Sequence, residues 1–133
     1  MRTGRRDKLG PLGERVAARY LKRRGLKVLG RNLMTGFGEA DLLCETREGC
    51  IVVVEVKARR ARPSAPPPEA SVTLAKRQRL IRVLEHLVKA NGWHGRPRRI
   101  DVVAIEFHAR RWGPPRAQVR HFESAVLRSG QTR

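Results

Sequence analysis

The segment CIVVVEVKA, residues 50–58, is the feature that most narrows the folds open to this chain. It is apolar at successive positions up to Glu55, which predicts a strand that is covered on both faces in the middle of a sheet. Yet Glu55 and Lys57 lie within it, and buried charges without partners are costly. These two side chains therefore need charged partners on a neighbouring element.

The strand predicted just before this segment, over residues 38–46, supplies such partners. Residues 47–49, Arg-Glu-Gly, have the length of a common hairpin loop, with glycine at the position that takes a positive φ. This loop pairs Thr46 with Cys50 and so sets the register of the whole hairpin.

The predicted register brings acidic and basic side chains together. Because side chains alternate between the faces of a strand, Asp41 faces Glu55, and Glu39 faces Lys57. Carboxylates directly opposite each other destabilise a sheet, and a divalent cation between them would compensate. A charged strand end closed by ordinary salt bridges is the alternative explanation.

The chemistry of this set is that of phosphodiester hydrolysis. Oxygen ligands from Asp41 and Glu55 suit Mg²⁺ or Mn²⁺, which keep several waters and accept phosphate oxygens. Lys57 beside them can orient or help to deprotonate the attacking water, and it can stabilise negative charge. Metal-dependent hydrolysis of a phosphodiester is the reaction that these groups fit.

The charge balance of the chain favours a polyanionic partner. Lysine and arginine number 30 against 12 acidic residues, which gives a net charge of +18 over 133 residues. Nucleic acid is the first candidate. An anionic membrane is the second, but the sequence shows no basic amphipathic helix with Trp or Phe anchors. Aromatic residues make up 5%, so a base-stacking platform is not expected, and recognition of backbone and shape is favoured.

Neither a transmembrane run nor a secretory signal is found in the sequence. No stretch of about 18 apolar residues occurs, and the basic start MRTGRRDKLGPLGERV has no apolar core. The expected location is the cytoplasm. Cys44 and Cys50 are then expected to be reduced and to behave as small strand residues.

The remaining pattern predicts the order αβββαββ, a mixed sheet flanked by helices in an α/β fold. One helix is predicted over 12–24, ending at Gly25, and another runs from the N-cap Thr73 to about Ala90. Strands are predicted at 26–33, 38–46, 50–58, 99–107 and 116–122. The proline- and arginine-rich segment 59–70 is predicted to be a mobile basic loop, and 124–133 a disordered tail.

The pattern D-x13-E-x-K across a hairpin, after a helix that carries Glu14, resembles the PD-(D/E)XK nuclease superfamily. More closely, the chain resembles the bacterial YraN family within that superfamily. The similar segments cover about residues 12–107 in order: GERVAARYLKRRGLKVLGRN, GEADLL, VVVEVKAR, SVTLAKRQRL and IDVVAI. This resemblance implies a single nuclease-like domain over 1–123 with a restriction-endonuclease-like fold, related to Holliday-junction-resolvase-like nucleases.

The resemblance also implies roles for particular residues. Asp41 and Glu55, with the backbone carbonyl of Val56, would hold Mg²⁺ or Mn²⁺. Lys57 would serve the attacking water. Glu14 would be an auxiliary acid at the metal, although an acid near a helix N-terminus also interacts favourably with the helix dipole.

Nucleic-acid contacts are expected around this set. Arginines that directly follow Lys57 are predicted to clamp phosphates beside the scissile bond, namely Arg59, Arg60 and Arg62. Lys76 and Gln78, at the start of the second predicted helix, would reach substrate phosphate, or would simply lie on a solvated helix face. Asp101 opens a buried strand, where a cap or an ion pair is the favoured explanation.

These observations favour a Mg²⁺-dependent DNA endonuclease that acts on branched or structured DNA in repair or recombination. The alternatives are a non-catalytic nucleic-acid-binding protein that keeps the nuclease fold, and an RNA-associated basic protein without a site. The enzyme is favoured because facing acids would repel phosphate unless a cation bridged them. DNA is the expected partner, a homodimer is left open, and no membrane partner is expected.

Overall fold

A computed structural model describes residues 4–126 of the 133-residue chain. The order αβββαββ predicted from the sequence is confirmed, with one short 3-10 helix added before the second α-helix. The elements are α1 (Gly4–Arg23), β1 (Lys27–Thr35), β2 (Gly38–Glu45), β3 (Ile51–Arg60), the 3-10 helix Pro68–Ser71, α2 (Leu74–Ala90), β4 (Arg98–His108) and β5 (Arg116–Val126).

One five-stranded mixed sheet has the order β1-β2-β3-β4-β5. The strand predicted to be central, β3, lies in the middle, antiparallel to β2 and parallel to β4. The parallel pair requires a crossover connection, which α2 provides, while α1 packs on the opposite face. The fold is thus the helix-flanked mixed sheet that the restriction-endonuclease-like resemblance implied.

Two hydrophobic cores lie on the two faces of β3. Val52 and Val54 pack in the cluster that contains α1, whereas Ile51 and Val53 pack in the cluster that contains α2. Because strand side chains alternate, this pattern places the side chain of Glu55 on the α2 face. The side chain of Glu55 therefore lies between the sheet and α2.

The predicted hairpin register is confirmed. Leu42 pairs with Val54, and the pairing continues regularly to Glu45 and Ile51. The loop has the predicted form, since Gly49 has a φ of +92° and the Thr46 N–H donates to the Cys50 carbonyl at 3.0 Å. The ladder ends at Leu42 and Val54, so the next positions, Asp41 and Glu55, lie just beyond regular pairing.

The predicted loop 59–70 has different bounds in the structure. Arg59 and Arg60 belong to β3, which pairs with β4 along its whole length, because the parallel partner supplies hydrogen bonds that the local sequence does not reveal. At the other end, Pro68 is buried and opens the 3-10 helix. The proline-rich connection is thereby shortened to 61–67.

Two chain-end predictions also differ from the structure. Helix α1 begins at Gly4 and not at residue 12, since it continues through Pro11, which removes only one backbone donor. Strand β5 continues to Val126, so the tail predicted from Ser124 begins inside a strand that is paired with β4. The rest of that predicted tail lies outside the described residues.

Helix α2 has the predicted start. The Lys76 N–H donates to the hydroxyl of the N-cap Thr73 at 3.2 Å. Its buried stripe includes the predicted Leu80, Leu84, Leu87 and Val88, and also Val83. Over residues 4–126, neither helix is long and apolar enough to cross a bilayer.

Candidate active site

Asp41 connects the end of β2 to the backbone of β3. Its Oδ2 atom accepts a hydrogen bond from the Val56 N–H at 2.8 Å. This bond satisfies a β3 donor at the point where the β2–β3 ladder has ended. The carboxylate is thereby held against the strand segment that contains Glu55.

Glu55 is almost completely buried, with 5% of its surface exposed. Its Oε2 atom lies 2.9 Å from the Lys76 Nζ and 3.4 Å from the Lys57 Nζ. A buried carboxylate needs compensating charge, and two ammonium groups supply it here. One comes from the same strand and the other from the first turn of α2.

A cleft of about 190 Å³ contains both acids. Its polar lining consists of Glu39, Asp41, Glu55, Lys76 and Arg79, and its apolar wall of Leu80 and Val83. The two carboxylates therefore face the same space, as the hairpin register predicts. Lys57 contacts Glu55 but lines a neighbouring cleft of about 430 Å³, whose opposite wall includes Pro66, Pro67 and Pro68.

The electrostatics of Asp41 reflect this crowding. Burial and then the negative charge of Glu55 raise the pKa of Asp41 to about 7, and the hydrogen bond from the Val56 N–H acts in the opposite direction. The charges of Glu14 and Glu39 add to the upward shift. Additional positive charge in the cleft would therefore favour the ionised form of Asp41.

The two lysines on Glu55 differ in their proton affinity. Burial and a hydrogen bond to Lys76 lower the pKa of Lys57, although Glu55 opposes this shift. Burial also disfavours the charged form of Lys76, but hydrogen bonds to Lys57 and Glu55 and the nearby carboxylate charges raise its pKa. The pKa values of the two lysines are therefore shifted in opposite directions, downward for Lys57 and upward for Lys76.

Glu14 approaches the acids from α1. The preceding residue, Gly13, is buried against β3, and a Cβ atom added there would lie 2.5 Å from the Ala58 Cβ. Only glycine permits this close approach of helix and strand. The approach brings Glu14 near enough for its charge to raise the pKa of Asp41, which fits the auxiliary position that the resemblance implies.

The donor chemistry of the cleft fits a hard divalent cation. Asp41 and Glu55 offer carboxylate oxygens that repel each other, and Val56 offers a backbone carbonyl. Within residues 4–126, no three His, Cys, Asp or Glu side chains form a metal centre. The two carboxylates would therefore have to be completed by a backbone carbonyl and water, which is typical of Mg²⁺.

The three arginines predicted to contact phosphate differ in whether they form an ion pair within the described part of the protein. Arg59 forms an ion pair with Glu106 at 3.6 Å, and Glu106 also accepts a hydrogen bond from Arg120 at 3.2 Å. Arg59 is therefore engaged in the fold. Arg60, near the end of β3, and Arg62 are exposed.

Helix α2 contributes a residue that the sequence analysis missed. Lys76, which was predicted to contact phosphate or to lie on a solvated helix face, lines the cleft, whereas the exposed Gln78 is not among the residues that line it. Arg79 lines it instead. Arg79 could have been predicted from the sequence, because it follows Lys76 by three residues and residues three apart lie on the same face of a helix.

Asp101 has the structural role that the sequence analysis favoured. Its side chain is fully buried and accepts hydrogen bonds from the Arg99 guanidinium at 2.9 Å, from the Ser124 N–H at 2.9 Å and from the His121 ring at 2.8 Å. These contacts fix the end of β5 at its register shift opposite β4. Asp101 is absent from the lining of the carboxylate cleft.

Fold and site together define an α/β protein whose central hairpin presents two carboxylates and a lysine beside a crossover helix. The chain belongs to uncharacterised protein family UPF0102, whose profile matches residues 13–105, and the resemblance to the YraN family is thereby confirmed. The matched segment contains the carboxylate cleft in full.

Relatives in this family span most of the chain. A UPF0102 protein of Roseiflexus castenholzii is 44% identical over 104 residues, which are 77% of this chain and 82% of the relative. A UPF0102 protein of Syntrophotalea carbinolica is 37% identical over 123 residues, which are 92% of this chain and 94% of the relative.

Two solved structures show partial likeness. One is an EndoMS–dsDNA complex, with 29% identity and a TM-score of 0.37, where the match covers 57% of this chain and 26% of that chain. The other is Pyrococcus furiosus SfsA in complex with Ca²⁺, with 17% identity and a TM-score of 0.42, covering 86% and 62%. In both cases the match spans less than two thirds of the solved chain.

Proposed function

We propose that this protein is a divalent-metal-dependent DNA endonuclease. The observation that supports this most directly is the shared cleft of Asp41 and Glu55, with Lys57 in contact with Glu55. A structural salt bridge alone does not explain why two acids that repel each other face the same space. A cation-binding site for phosphodiester hydrolysis does explain it.

In this proposal each group has a defined task. Asp41, Glu55 and the Val56 carbonyl hold Mg²⁺ or Mn²⁺, which supplies Lewis-acid stabilisation of the phosphoryl oxygens. Lys57 orients the attacking water and takes up or returns its proton. Glu14 adds negative charge beside Asp41 and so strengthens the hold on a cation.

DNA is the polymer that we propose as substrate, preferably branched or structured DNA in repair or recombination. The net charge of +18 favours a polyanionic partner. Acids at the binding site of such a partner would repel its phosphates unless a cation lay between them. Arg60 and Arg62 lie exposed a few residues beyond Lys57, where they can contact phosphates. Lys76 and Gln78 offer further contacts from α2.

One observation favours a second candidate, a non-catalytic nucleic-acid-binding protein with the same fold. The Lys76 Nζ already lies 2.9 Å from Glu55, so the buried carboxylate has a cationic partner without a metal ion. In such a protein the cleft would be a closed charge network. The two candidates differ in whether the protein cleaves bound DNA when a divalent ion is present.

A cleavage assay on linear, flapped and four-way DNA, with Mg²⁺, Mn²⁺ or EDTA, separates the candidates. We expect metal-dependent cleavage of branched DNA that EDTA abolishes. Glu48→Gln is a matched control, because Glu48 is an exposed acid in the β2–β3 turn at the opposite end of the sheet. Binding without cleavage of any substrate, with either metal, would favour the non-catalytic protein.

A further inference from the structure

The tip of the β4–β5 hairpin, residues 109–115, exposes a tryptophan among arginines. Trp112 is 82% exposed, more than any other described large apolar side chain. Arg110, Arg111 and Arg116 flank it and are exposed as well. Within the described part of the chain, no side-chain hydrogen bond or ion pair engages these three guanidinium groups. They remain available to an anionic partner.

The shape of this tip is fixed by its own sequence. The strands pair up to His108 and Arg116, and Gly113 has a φ of +83°, a value that favours glycine. Pro114 and Pro115 have fixed φ angles. The tryptophan is therefore presented on a stiff turn, which reduces the entropy lost when it binds a partner.

The tip lies at the sheet end towards which β3 runs from the acidic cleft. Strands β3 and β4 are parallel, and Lys57 pairs with Ala104. From Ala104 the hairpin continues to His108, about 13 Å at about 3.3 Å per residue. At about 3.4 Å per nucleotide, His108 is about four nucleotides along a strand whose phosphate lies at the cleft, and Trp112 lies beyond it in the tip.

We propose that Trp112 stacks on an unpaired base of DNA bound at the cleft, while the neighbouring arginines contact its phosphates. In a fully paired duplex the base faces are covered by their neighbours, whereas a flap or junction exposes them. This inference rests on the proposed function for its polymer and defines the substrate class, DNA with an unpaired base several nucleotides from the scissile phosphate. The low aromatic content is no obstacle, because one indole suffices for one base.

One feature favours DNA over another partner for this tip. It lies at the sheet end towards which β3 runs from the cleft, so a polymer bound at the cleft can extend along the strands towards it. The tip lies outside residues 13–105, which the family profile matches, so a contact there would be additional to the shared core. An anionic lipid surface also binds Trp beside Arg, and the experiment distinguishes a lipid partner from DNA.

The experiment measures binding in EDTA, so that cleavage plays no part. Fluorescence anisotropy compares a flapped duplex with a fully paired duplex of equal length for wild type, Trp112→Ala and Trp112→Phe. Arg47→Ala is the matched control for Arg111→Ala, since Arg47 is exposed in the turn at the opposite end of the sheet. Tryptophan emission is recorded with the same DNA and with phosphatidylserine vesicles.

We expect Trp112→Ala to weaken flap binding at least about fivefold, the effect of losing one stacked base, and to change duplex binding less than about twofold. Trp112→Phe should retain most of the flap affinity, and Arg111→Ala should weaken flap binding more than Arg47→Ala. Emission should be quenched by the flap in wild type and not in Trp112→Phe.

Equal loss on both DNAs, or no loss, would overturn the stacking inference alone. Emission changes with vesicles but not with DNA would overturn it in favour of a lipid contact. If the wild type binds neither DNA, both this inference and the proposed endonuclease fail. If binding depends on Trp112 but no metal supports cleavage, only the endonuclease fails.

Discussion

The Lys76 Nζ lies 2.9 Å from the Glu55 Oε2, although Lys76 is in the first turn of α2 and Glu55 is buried in the middle strand of the sheet. The crossover helix thus delivers an ammonium group to the carboxylate that is proposed to hold a metal ion. If Glu55 holds a divalent ion as proposed, Lys76 and the ion would compete for its negative charge. Release of Lys76 from Glu55 by a bound ion would free its ammonium group to contact phosphate.

Substitution of Lys76 tests this competition. Lys76→Ala leaves Glu55 with one ammonium partner, so we expect the free energy of unfolding in EDTA to fall by about 1–3 kcal/mol. Mn²⁺ should then stabilise the variant more than the wild type, because no ammonium has to be displaced. Urea unfolding with EDTA or Mn²⁺ measures both effects.

The control for this substitution is Lys89→Ala, in the last turn of α2, where the side chain is exposed. It should change the free energy of unfolding by no more than about 0.5 kcal/mol. Equal stabilisation of wild type and Lys76→Ala by Mn²⁺ would show that Lys76 does not compete with the ion.

Local sequence was sufficient to predict the carboxylate pair. The loop ending in Gly49 sets the hairpin register, and the period-two alternation of strands then determines which side chains face each other. These two rules place Asp41 opposite Glu55, and the structure has them in one cleft. The N-cap at Thr73 was predictable for the same reason, because a cap depends on adjacent residues.

Contacts that depend on tertiary packing could not be predicted in this way. Lys76 reaches Glu55 because of the path that α2 takes over the sheet, and no spacing in the sequence defines that path. Arg59 was predicted to contact phosphate, which stays a prediction, and its ion pair with Glu106 was not predicted, since the parallel register of β3 and β4 sets the two side by side. In both cases the sequence identified the charged residue, but it did not identify the carboxylate with which that residue forms an ion pair.

Loss of either the metal-binding charge or the lysine should abolish cleavage. Asp41→Asn keeps the shape of the side chain but removes the charge that would hold the cation, and Lys57→Ala removes the proton-handling group. We expect each variant to lose Mg²⁺-dependent cleavage, by about a hundredfold or more for a group worth a few kcal/mol in the transition state. Circular dichroism and DNA binding in EDTA should remain close to wild type.

Glu48→Gln and Lys89→Ala are the matched controls, since each removes one exposed charge and neither residue lines the cleft. Both should cleave at the wild-type rate. Cleavage that survives Asp41→Asn and Lys57→Ala together would point to a contaminating nuclease.

DNA affinity should depend strongly on salt. A protein that neutralises several phosphates releases their counterions, so log K should fall by about 0.9 per contact for each tenfold rise in salt. Glu55→Gln should bind DNA in EDTA as well as the wild type or better, because it removes a negative charge from the cleft. Anisotropy titrations at several salt concentrations measure the slope, and a salt-independent affinity would argue against any nucleic-acid function.

The close contact of α1 with β3 should be sensitive to a single methyl group. A Cβ atom at position 13 would lie 2.5 Å from the Ala58 Cβ, so Gly13→Ala must push the helix away from the strand. Overpacking of this kind costs about 1–3 kcal/mol, which exceeds the gain of up to about 1 kcal/mol from replacing glycine in a helix. Thermal unfolding should show a lower melting temperature, with reduced cleavage because Glu14 moves as well.

The same helix supplies the control. Gly10→Ala places its Cβ away from β3, but Gly10 precedes Pro11, whose ring disfavours a helical residue with a Cβ before it, so the gain in helix propensity is offset and stability should change little. The double variant Gly13→Ala, Ala58→Gly removes the clash and should recover part of the loss. Equal effects of the substitutions at positions 10 and 13 would mean that helix propensity, and not the contact with β3, decides the outcome.

Asp101 should govern part of the acid sensitivity of the fold. Burial alone would raise its pKa, but hydrogen bonds from His121, Arg99 and the Ser124 N–H outweigh it, and the pKa of Asp101 lies below the usual value of 3.8. Its negative charge in turn contributes to raising the pKa of Cys44, which burial brings to about 12. A carboxyl group with a lowered pKa binds fewer protons in the folded than in the unfolded protein. Its stabilising effect is therefore complete above about pH 3.8 and is lost as the pH falls through the folded-state pKa.

Comparison of wild type with Asp101→Asn isolates this effect. At neutral pH we expect the substitution to lower the free energy of unfolding by about 3–5 kcal/mol, because the buried Arg99 and His121 contacts lose their anionic partner. The difference between the two proteins should shrink as the pH falls below about 3.8, where the wild-type carboxyl group also becomes protonated. Glu123→Gln is the control, since Glu123 lies 3.9 Å from Arg99 with its side chain 63% exposed, and it should change stability little at any pH. Urea unfolding from pH 3 to pH 7 measures these differences, and a pH-independent gap between wild type and Asp101→Asn would mean that packing, and not charge, sets the role of Asp101.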